Sequence, residues 1–252
     1  ANSFNEMSRK MASDIDELQR LNDQLIRAEK LAAMGTLAAG VAHEVNNPLA
    51  SISSLVQIMR SQEGHSAETR EKLNMISGQI QRITQVTSDM TNFARTRPAA
   101  KSESDINAIV RTALRLASFD EAFHNLEIEA DLAANLPKIF ADEDQLQQVF
   151  LNLFLNARDA MTGGGSLSIK TSVRDSVIVI KVADSGTGIP ESNMQSIFDP
   201  FFTTKPAGSG TGLGLAVCYG IVTAHGGRIG VENNQPAGTR FVITFPLCGG
   251  SF

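Results

Sequence analysis

Glycine is unevenly placed along this chain, and its placement decides what each part can fold into. Between residues 12 and 97 glycines are few, and apolar residues recur at steps of 3 and 4, so the segment reads as helix almost throughout. Leu18, Leu21, Leu25, Ala28 and Ala32 form a heptad seam flanked by "DELQR" and "RAEK", which predicts a parallel coiled coil over residues 1–33. The apolar pattern continues through Met34, Ala38, Val41, Val45, Ile52, Leu55 and Met59, with Pro48 inside it as an expected kink. In "SQEGHSAET" Gly64 marks a turn and Ser66 can cap the next helix. That helix carries Leu73, Ile76, Ile80, Ile83, Val86, Met90 and Phe93 and stops before Pro98. Two helices of this kind cannot bury their apolar faces alone. Residues 34–97 are therefore expected as a helical hairpin that pairs with a second copy into a four-helix bundle, a homodimer.

From "KSESD" onward the pattern changes. "DINAIVRTALRLA" reads as an amphipathic helix, and "LEIEADL", "GSLSIKTSV", "SVIVIKVAD", "RIGVEN" and "GTRFVITFPL" alternate like strands of a half-buried sheet. Helices over "DEDQLQQVFLNLFLNARDAM" and "GLGLAVCYGIVTAHGG" lie between them. Helices grouped against an antiparallel or mixed sheet make an α/β sandwich, expected over residues 105–252, with "PAAKSES" at 98–104 as linker. The fold class is thus α plus α/β. A net charge of −5 gives no global reason to expect nucleic acid as partner. The two cysteines, Cys218 and Cys248, lack metal-ligand spacing and suit a reducing compartment. No apolar run approaches the ~20 residues of a membrane span, so a cytoplasmic portion is expected, with inner-membrane anchoring of a longer protein left open. The first helix starts with no folded unit before it, which suggests a fragment whose sensor module is absent.

Five short stretches carry chemistry. In "VAHEVNNPLASI", His43 lies about 200° around the helix from both Val41 and Val45 at 100° per residue. A core histidine should lie on the apolar stripe; this one points outward. "NLFLNARDA" places Asn152 and Asn156 one turn apart on a mostly apolar helix, suited to hold a hard cation such as Mg²⁺ or to cap neighbouring backbone. "DSGTGIP" follows a strand: Asp184 can accept from an amino group, and Gly186 and Gly188 let a ligand approach the backbone, although a plain turn reads the same way. "FDPFFTTK" gathers three phenylalanines before Lys205, either a site element or a hydrophobic staple. "GSGTGLGLAV" is a glycine loop running into a helix whose N–H groups suit phosphate oxygens. It is neither the P-loop pattern nor the dinucleotide fingerprint. Alone each is weak evidence; all in this order are strong.

The last four stretches resemble the N, G1, F and G2 boxes of the Bergerat-type ATP-binding fold, and "AHEVNNPL" resembles the H box of a histidine kinase dimerisation domain. Residues 34–247 together look like the cytoplasmic core of a two-component sensor histidine kinase, closest in wording to the nitrogen-regulation-type branch, and the N-terminal coiled coil looks like its signalling helix. The resemblance implies His43 as the phosphoacceptor attacking ATP through Nε2, with Glu44 on the ring Nδ1. It implies Asn156 on Mg²⁺, Asn152 supporting the metal and phosphate region, and Asp184 on the adenine amino group. Gly186 and Gly188 would line the adenine pocket, and Lys205 with Gly210, Gly212 and Gly214 would form a mobile lid. Asp159, Ile189, Phe198, Thr204, Thr211, Leu213 and Thr239 complete the implied ATP site. ATP and Mg²⁺ are the implied cofactors, and a response regulator is the implied partner.

Hydrolysing relatives carry a glutamate where Asn152 stands, so slow hydrolysis and a preference for histidine as acceptor are implied. Asn47, one turn after His43, implies phosphatase activity toward the regulator's phosphoaspartate, unless it serves only as the residue before Pro48. Three other readings are a phosphatase-dominant form, a nucleotide-gated scaffold in which His43 is never phosphorylated, and a mechanical ATPase. The Glu44 beside His43 counts against the scaffold, and Asn152 counts against the ATPase. His225 ends a helix, where positive charge is expected to be favourable; His65 is expected to be solvated in the hairpin loop, and His124 is read as having no evident partner.

Overall fold

The computed structural model describes residues 45–62, 64–94, 100–206, 210–235 and 237–247, together with Met7, Lys10 and Met11. The expected coiled-coil seam, His43, Glu44, Pro98 and Cys248 lie outside the described residues. The chain divides into two compact units, Ala1–Arg95 and Thr96–Phe252. No described helix is long and apolar enough to cross a membrane.

The first unit is a helical hairpin: α1 over 45–61, which contains Pro48, and α2 over Ala67–Ala94. Gly64 turns the chain at φ +97°, a conformation a side chain resists. Ser66 then caps α2, its Oγ accepting from the Thr69 N–H at 3.2 Å. The hairpin's buried seam is narrow, consisting of Leu49 and Val56 on α1 and Leu73 and Ile80 on α2, with Val45 packed against it. Both pairs sit seven residues apart, and the α2 row continues to Thr87, 3% exposed. There the apolar ladder turns polar: the Thr87 hydroxyl donates to Asn46 Oδ1 at 2.5 Å, tying the turn after "AHE" to the second helix. Among the described residues much of the expected stripe faces outward, while Val86 is half-buried. Ile52, Leu55, Ile58 and Met59 on α1, and Met75, Ile76 and Ile83 on α2, are all exposed.

The second unit opens with β1 (Ser102–Ser104), followed by α3 (Ile106–Ala117), β2 (Leu126–Leu132) and β3 (Ile139–Ala141). It continues with α4 (Glu143–Ala160), β4 (Gly165–Arg174), β5 (Val177–Asp184), α5 (Gly214–Ala224), β6 (Arg228–Asn233) and β7 (Thr239–Pro246). The sheet order is β2-β4-β5-β7-β6, with β2 parallel to β4 and the other pairs antiparallel. Burial alternates along β4 and β7 as a sheet covered on one face requires: Leu167, Ile169 and Thr171 on β4, and Thr239, Phe241, Ile243 and Phe245 on β7. α4 packs against both α3 and α5 above this face.

Three expectations are corrected. His65, expected to be solvated in the hairpin loop, has its Nε2 2.6 Å from the Met59 carbonyl oxygen. Residues 102–104, expected as the end of the linker, form β1 and pair antiparallel with β3, and Ser104 is fully buried with its hydroxyl donating to the Ala141 carbonyl at 3.1 Å. The serines carry no apolar signal because backbone and hydroxyl bonds hold this strand. Strand β2, expected to be half-buried, is exposed through its centre, including Ile128, because it is the sheet's edge.

Candidate functional site

α4 is the foundation. Asp142 caps it, Oδ1 accepting from the Gln145 N–H at 3.1 Å. Leu146, Val149, Phe150, Leu153, Phe154 and Ala157 recur at steps of 3 and 4 and bury one side. Asn152, Asn156 and Asp159 fall on a different, half-buried side. Asn152 Nδ2 donates to the Gly214 carbonyl at 3.3 Å and so holds the first residue of α5. Lys205 Nζ donates to Asn156 Oδ1 at 3.2 Å and to Asp159 Oδ2 at 2.5 Å. An amide oxygen and a carboxylate oxygen thus converge on one cation, the donor set a hard divalent ion would also use.

Charges alternate around this point. Arg158 donates to Asp159 Oδ1 through Nε at 2.9 Å and Nη2 at 2.5 Å, and through Nη1 to Asp120 Oδ2. Burial alone would raise the Asp159 carboxyl, but the hydrogen bonds from Lys205 and Arg158 and the charges of both hold it below the ordinary carboxylate range. Asp159 is therefore an anion held at both oxygens. Nearby Cys218 is chemically quiet: burial pushes its thiol up to about 12.

Asp184 ends β5 and is 5% exposed. Its Oδ1 accepts from the Gly186 N–H at 2.9 Å and the Thr239 N–H at 3.1 Å, which leaves Oδ2 as the acceptor available to a ligand. Burial raises its pKa against the pull of those two N–H groups. The glycines around it allow close packing of the loop. A Cβ on Gly186 would meet Ala160 Cβ and the Ala160 carbonyl oxygen at 2.7 Å, so glycine lets the loop lie against the end of α4. Gly188 has φ +73°, and Ile189 packs on the core.

The phenylalanine turn and the glycine loop are built back to back. Phe198 lies in the core, its ring 5.7 Å from that of Tyr219 on α5. Phe201, at φ +66°, donates its N–H to the Gly212 carbonyl at 3.0 Å. A Cβ on Gly212 would stand 2.4 Å from the Phe201 carbonyl carbon, so only glycine fits there. Gly210 lies over the Lys205 stem, where an added Cβ would be 3.1 Å from Cδ. Leu213 is buried at the start of α5, its N–H donating to Thr211 Oγ1 at 3.4 Å, and Thr204 is exposed. The structure thus joins Asn152, Asn156, Asp159, Lys205, Gly210, Gly212 and Gly214 in one connected group. Asp184, Gly186 and Thr239 form a second group, which packs on Ala160 at the C-terminal end of α4.

Residues 33–99 match the model of the His Kinase A (phospho-acceptor) domain, and residues 141–249 that of the histidine kinase-, DNA gyrase B-, and HSP90-like ATPase. Sensor histidine kinase ZraS of Escherichia coli O157:H7 is 38% identical over 229 residues, covering 91% of this chain and 50% of ZraS. The chain therefore spans about half the length of this curated relative. The solved catalytic domain of histidine kinase ThkA is 32% identical with a TM-score of 0.52, covering 58% of this chain and 95% of that one. ThkA in complex with response regulator protein TrrA is 26% identical with a TM-score of 0.64, covering 91% and 66%. Full-length ShkA in complex with AMPPNP is 26% identical with a TM-score of 0.69, covering 86% and 47%. The chain belongs to the two-component histidine kinases.

Within this histidine kinase core, His225 departs from its expected role. Its Nε2 accepts from the Asp142 N–H at 3.0 Å, so that nitrogen carries no proton, while Nδ1 donates to the Ile221 carbonyl at 2.8 Å. Burial lowers its pKa, with Lys101 adding to the lowering against Asp142. The ring is neutral rather than a charged helix end. Asp142 Oδ2 also accepts from the Ala100 N–H at 2.8 Å, and Lys101 Nζ donates to the Ala224 carbonyl at 2.8 Å. The segment entering the kinase core's second unit is thereby stitched to the start of α4 and the end of α5. The unfolded chain takes up this proton near the ordinary histidine value of about 6.5, before the folded chain does. His225 therefore contributes full stability above that pH and loses it as pH falls through the lower folded value. The midpoint of thermal unfolding should drop more steeply between about pH 7 and pH 5 in the parent than in His225→Gln; parallel curves would refute this.

Sequence reading missed four residues: Asp120 and Arg158, which hold Asp159, and Asn234 and Gly238, which hold Asp184. Asn234 Nδ2 donates to the Asp184 carbonyl at 2.9 Å and its N–H to the Gly238 carbonyl at 3.0 Å. The "NARD" pairing of opposite charges gave a signal for Arg158; nothing local marked the other three.

Proposed function

We propose that this core binds ATP in the second unit and transfers its γ-phosphoryl group to His43, for onward transfer to an aspartate of a response regulator. The observation that carries the reading is the convergence of Asn156, Asp159 and Lys205 beside a glycine loop braced by Asn152, with Asp184 keeping one acceptor oxygen. Asp184 Oδ2 accepts from the adenine amino group; guanine would set a carbonyl oxygen there and be repelled. Gly186, Gly188, Ile189 and Thr239 frame the base, and the loop through Gly210, Thr211, Gly212 and Leu213 meets the phosphates with backbone N–H groups at the start of α5. The donor set of Asn156 and Asp159 fits Mg²⁺, which when bound supplies charge neutralisation at the phosphates. Lys205 adds a positive charge on the same side.

At His43 the Nε2 lone pair forms the new bond to phosphorus, and the bond to the bridging oxygen breaks with its electron pair leaving on ADP. Glu44 accepts from Nδ1–H, fixes the tautomer, and takes up the proton as the ring gains positive charge. Little acid–base apparatus is required because positioning and charge carry the reaction. The exposed apolar residues of α1 and α2 support a second copy of the chain as the hairpin's partner, since burying each side chain contributes about 1.5–3 kcal/mol. Asn47, exposed on α1 while Asn46 is engaged by Thr87, supports a second activity: orienting water against a regulator's phosphoaspartate.

Incubation with γ-labelled ATP and Mg²⁺ tests the reading. The parent should take up acid-labile, alkali-stable label and His43→Gln none. A parent that binds ATP without labelling, or a labelled variant, would favour binding alone or another acceptor.

A further inference from the structure

We propose that the Lys205 ammonium and the divalent ion accompanying ATP compete for the same two oxygens, Asn156 Oδ1 and Asp159 Oδ2. Loading the metal then releases Lys205, and with it the glycine loop. This rests on the nucleotide reading above and adds a switch to it.

Three observations point the same way. First, the contact is well matched: Nζ lies 3.2 Å from the amide oxygen and 2.5 Å from the carboxylate oxygen. Two positive charges cannot share those ligands at such distances without strong repulsion. Second, the carboxylate cannot turn away to serve both cations. Its other oxygen is gripped twice by Arg158, which is itself tied to Asp120. Third, Lys205 is mechanically connected to the loop. Its N–H donates to Thr203 Oγ1 at 3.2 Å, and its stem fills the space under Gly210, where even a methyl group would come within 3.1 Å. A side chain pulled off α4 must move the floor on which Gly210 rests. The displaced ammonium stays on the same loop and becomes a counter-charge for the phosphates, so the exchange replaces one cation on Asp159 while adding another to the nucleotide. Lys205 acts on the metal through the oxygens it occupies, and its role there is to gate them.

The test uses Mn²⁺ alone as probe, with free ion followed by its paramagnetic resonance, on the parent, Lys205→Met and Lys205→Arg. Removing the ammonium should tighten Mn²⁺ binding about tenfold, the scale of one charge-assisted hydrogen bond, while the arginine variant should stay near the parent. In the parent, Mn²⁺ should also speed amide exchange across residues 201–206 and 210–214, an effect absent from Lys205→Met and readable even if that variant is destabilised. Unchanged Mn²⁺ affinity in Lys205→Met, or loop exchange that Mn²⁺ does not alter in the parent, would overturn the exchange. Separately, a parent that binds no ATP with Mn²⁺ present would overturn the nucleotide reading and this proposal with it. A parent that binds ATP normally while either exchange readout fails would overturn the exchange alone.

Discussion

Replacing Gly238 with alanine is expected to destabilise the second unit by about 3 kcal/mol or more, because no small adjustment can make room. Gly238 has φ +109°, and an added Cβ would stand 1.9 Å from the Asp184 carbonyl oxygen, 2.7 Å from its carbon and 2.9 Å from Ser185 Cα. All three are backbone atoms, and the same carbonyl is already fixed by Asn234. Relief would have to come from moving the start of β7, which would pull the Thr239 N–H off Asp184 Oδ1. The variant should therefore lose thermal stability, by roughly 6–12 °C for a domain of this size, and ATP affinity together. An unchanged unfolding midpoint would show that β7 is not pinned where the structure places it.

Asp184→Asn should separate those two effects. The asparagine oxygen can keep both N–H bonds from Gly186 and Thr239, which places its NH₂ where Oδ2 stood. A donor then faces the donor amino group of adenine. The lost charge-assisted bond together with the new mismatch is worth about 2–4 kcal/mol, so ATP affinity should fall roughly 30-fold to several hundredfold. Stability should hold or rise. Burial raises the folded pKa of Asp184, so the buried carboxylate costs stability once pH climbs past that value, and the neutral amide avoids this cost. Calorimetric titration with ATP beside a thermal melt checks both halves. Full ATP affinity in the variant would remove Asp184 from the adenine contact.

Much of the architecture was legible because it is periodic. Alternation in "GSLSIKTSV" and "GTRFVITFPL" marked β4 and β7, an amphipathic pattern marked α3, and long apolar stretches between the strands marked α4 and α5. What failed to read was carried by single long-range bonds. The His225 ring meets Asp142 across 83 positions, and Arg158 meets Asp120 across 38, and neither spacing leaves a pattern. β1 was hidden for a similar reason: its residues pair through backbone and the Ser104 hydroxyl, with no apolar alternation. Gly186 was read as a close approach, and the structure shows one that the sequence did not name, the Ala160 carbonyl oxygen 2.7 Å from where its Cβ would stand. Phe198, named from its motif, lies in the core with its ring 5.7 Å from that of Tyr219, a contact no local pattern marked.

The parallel pairing of β2 with β4 has a consequence for how the site comes into being. Parallel neighbours cannot be joined by a tight turn, and here the connection that returns the chain includes α4 itself. The helix carrying Asn152, Asn156 and Asp159 is therefore a structural crossover rather than an appended loop. Its geometry is complete only once two strands far apart in sequence have met, so the arrangement of its three polar side chains appears late in folding, with the sheet. It is lost only by an opening that also undoes the sheet edge. Accessory segments can be grafted elsewhere on such a domain, but Asn152, Asn156 and Asp159 cannot be loosened independently of the fold that carries them.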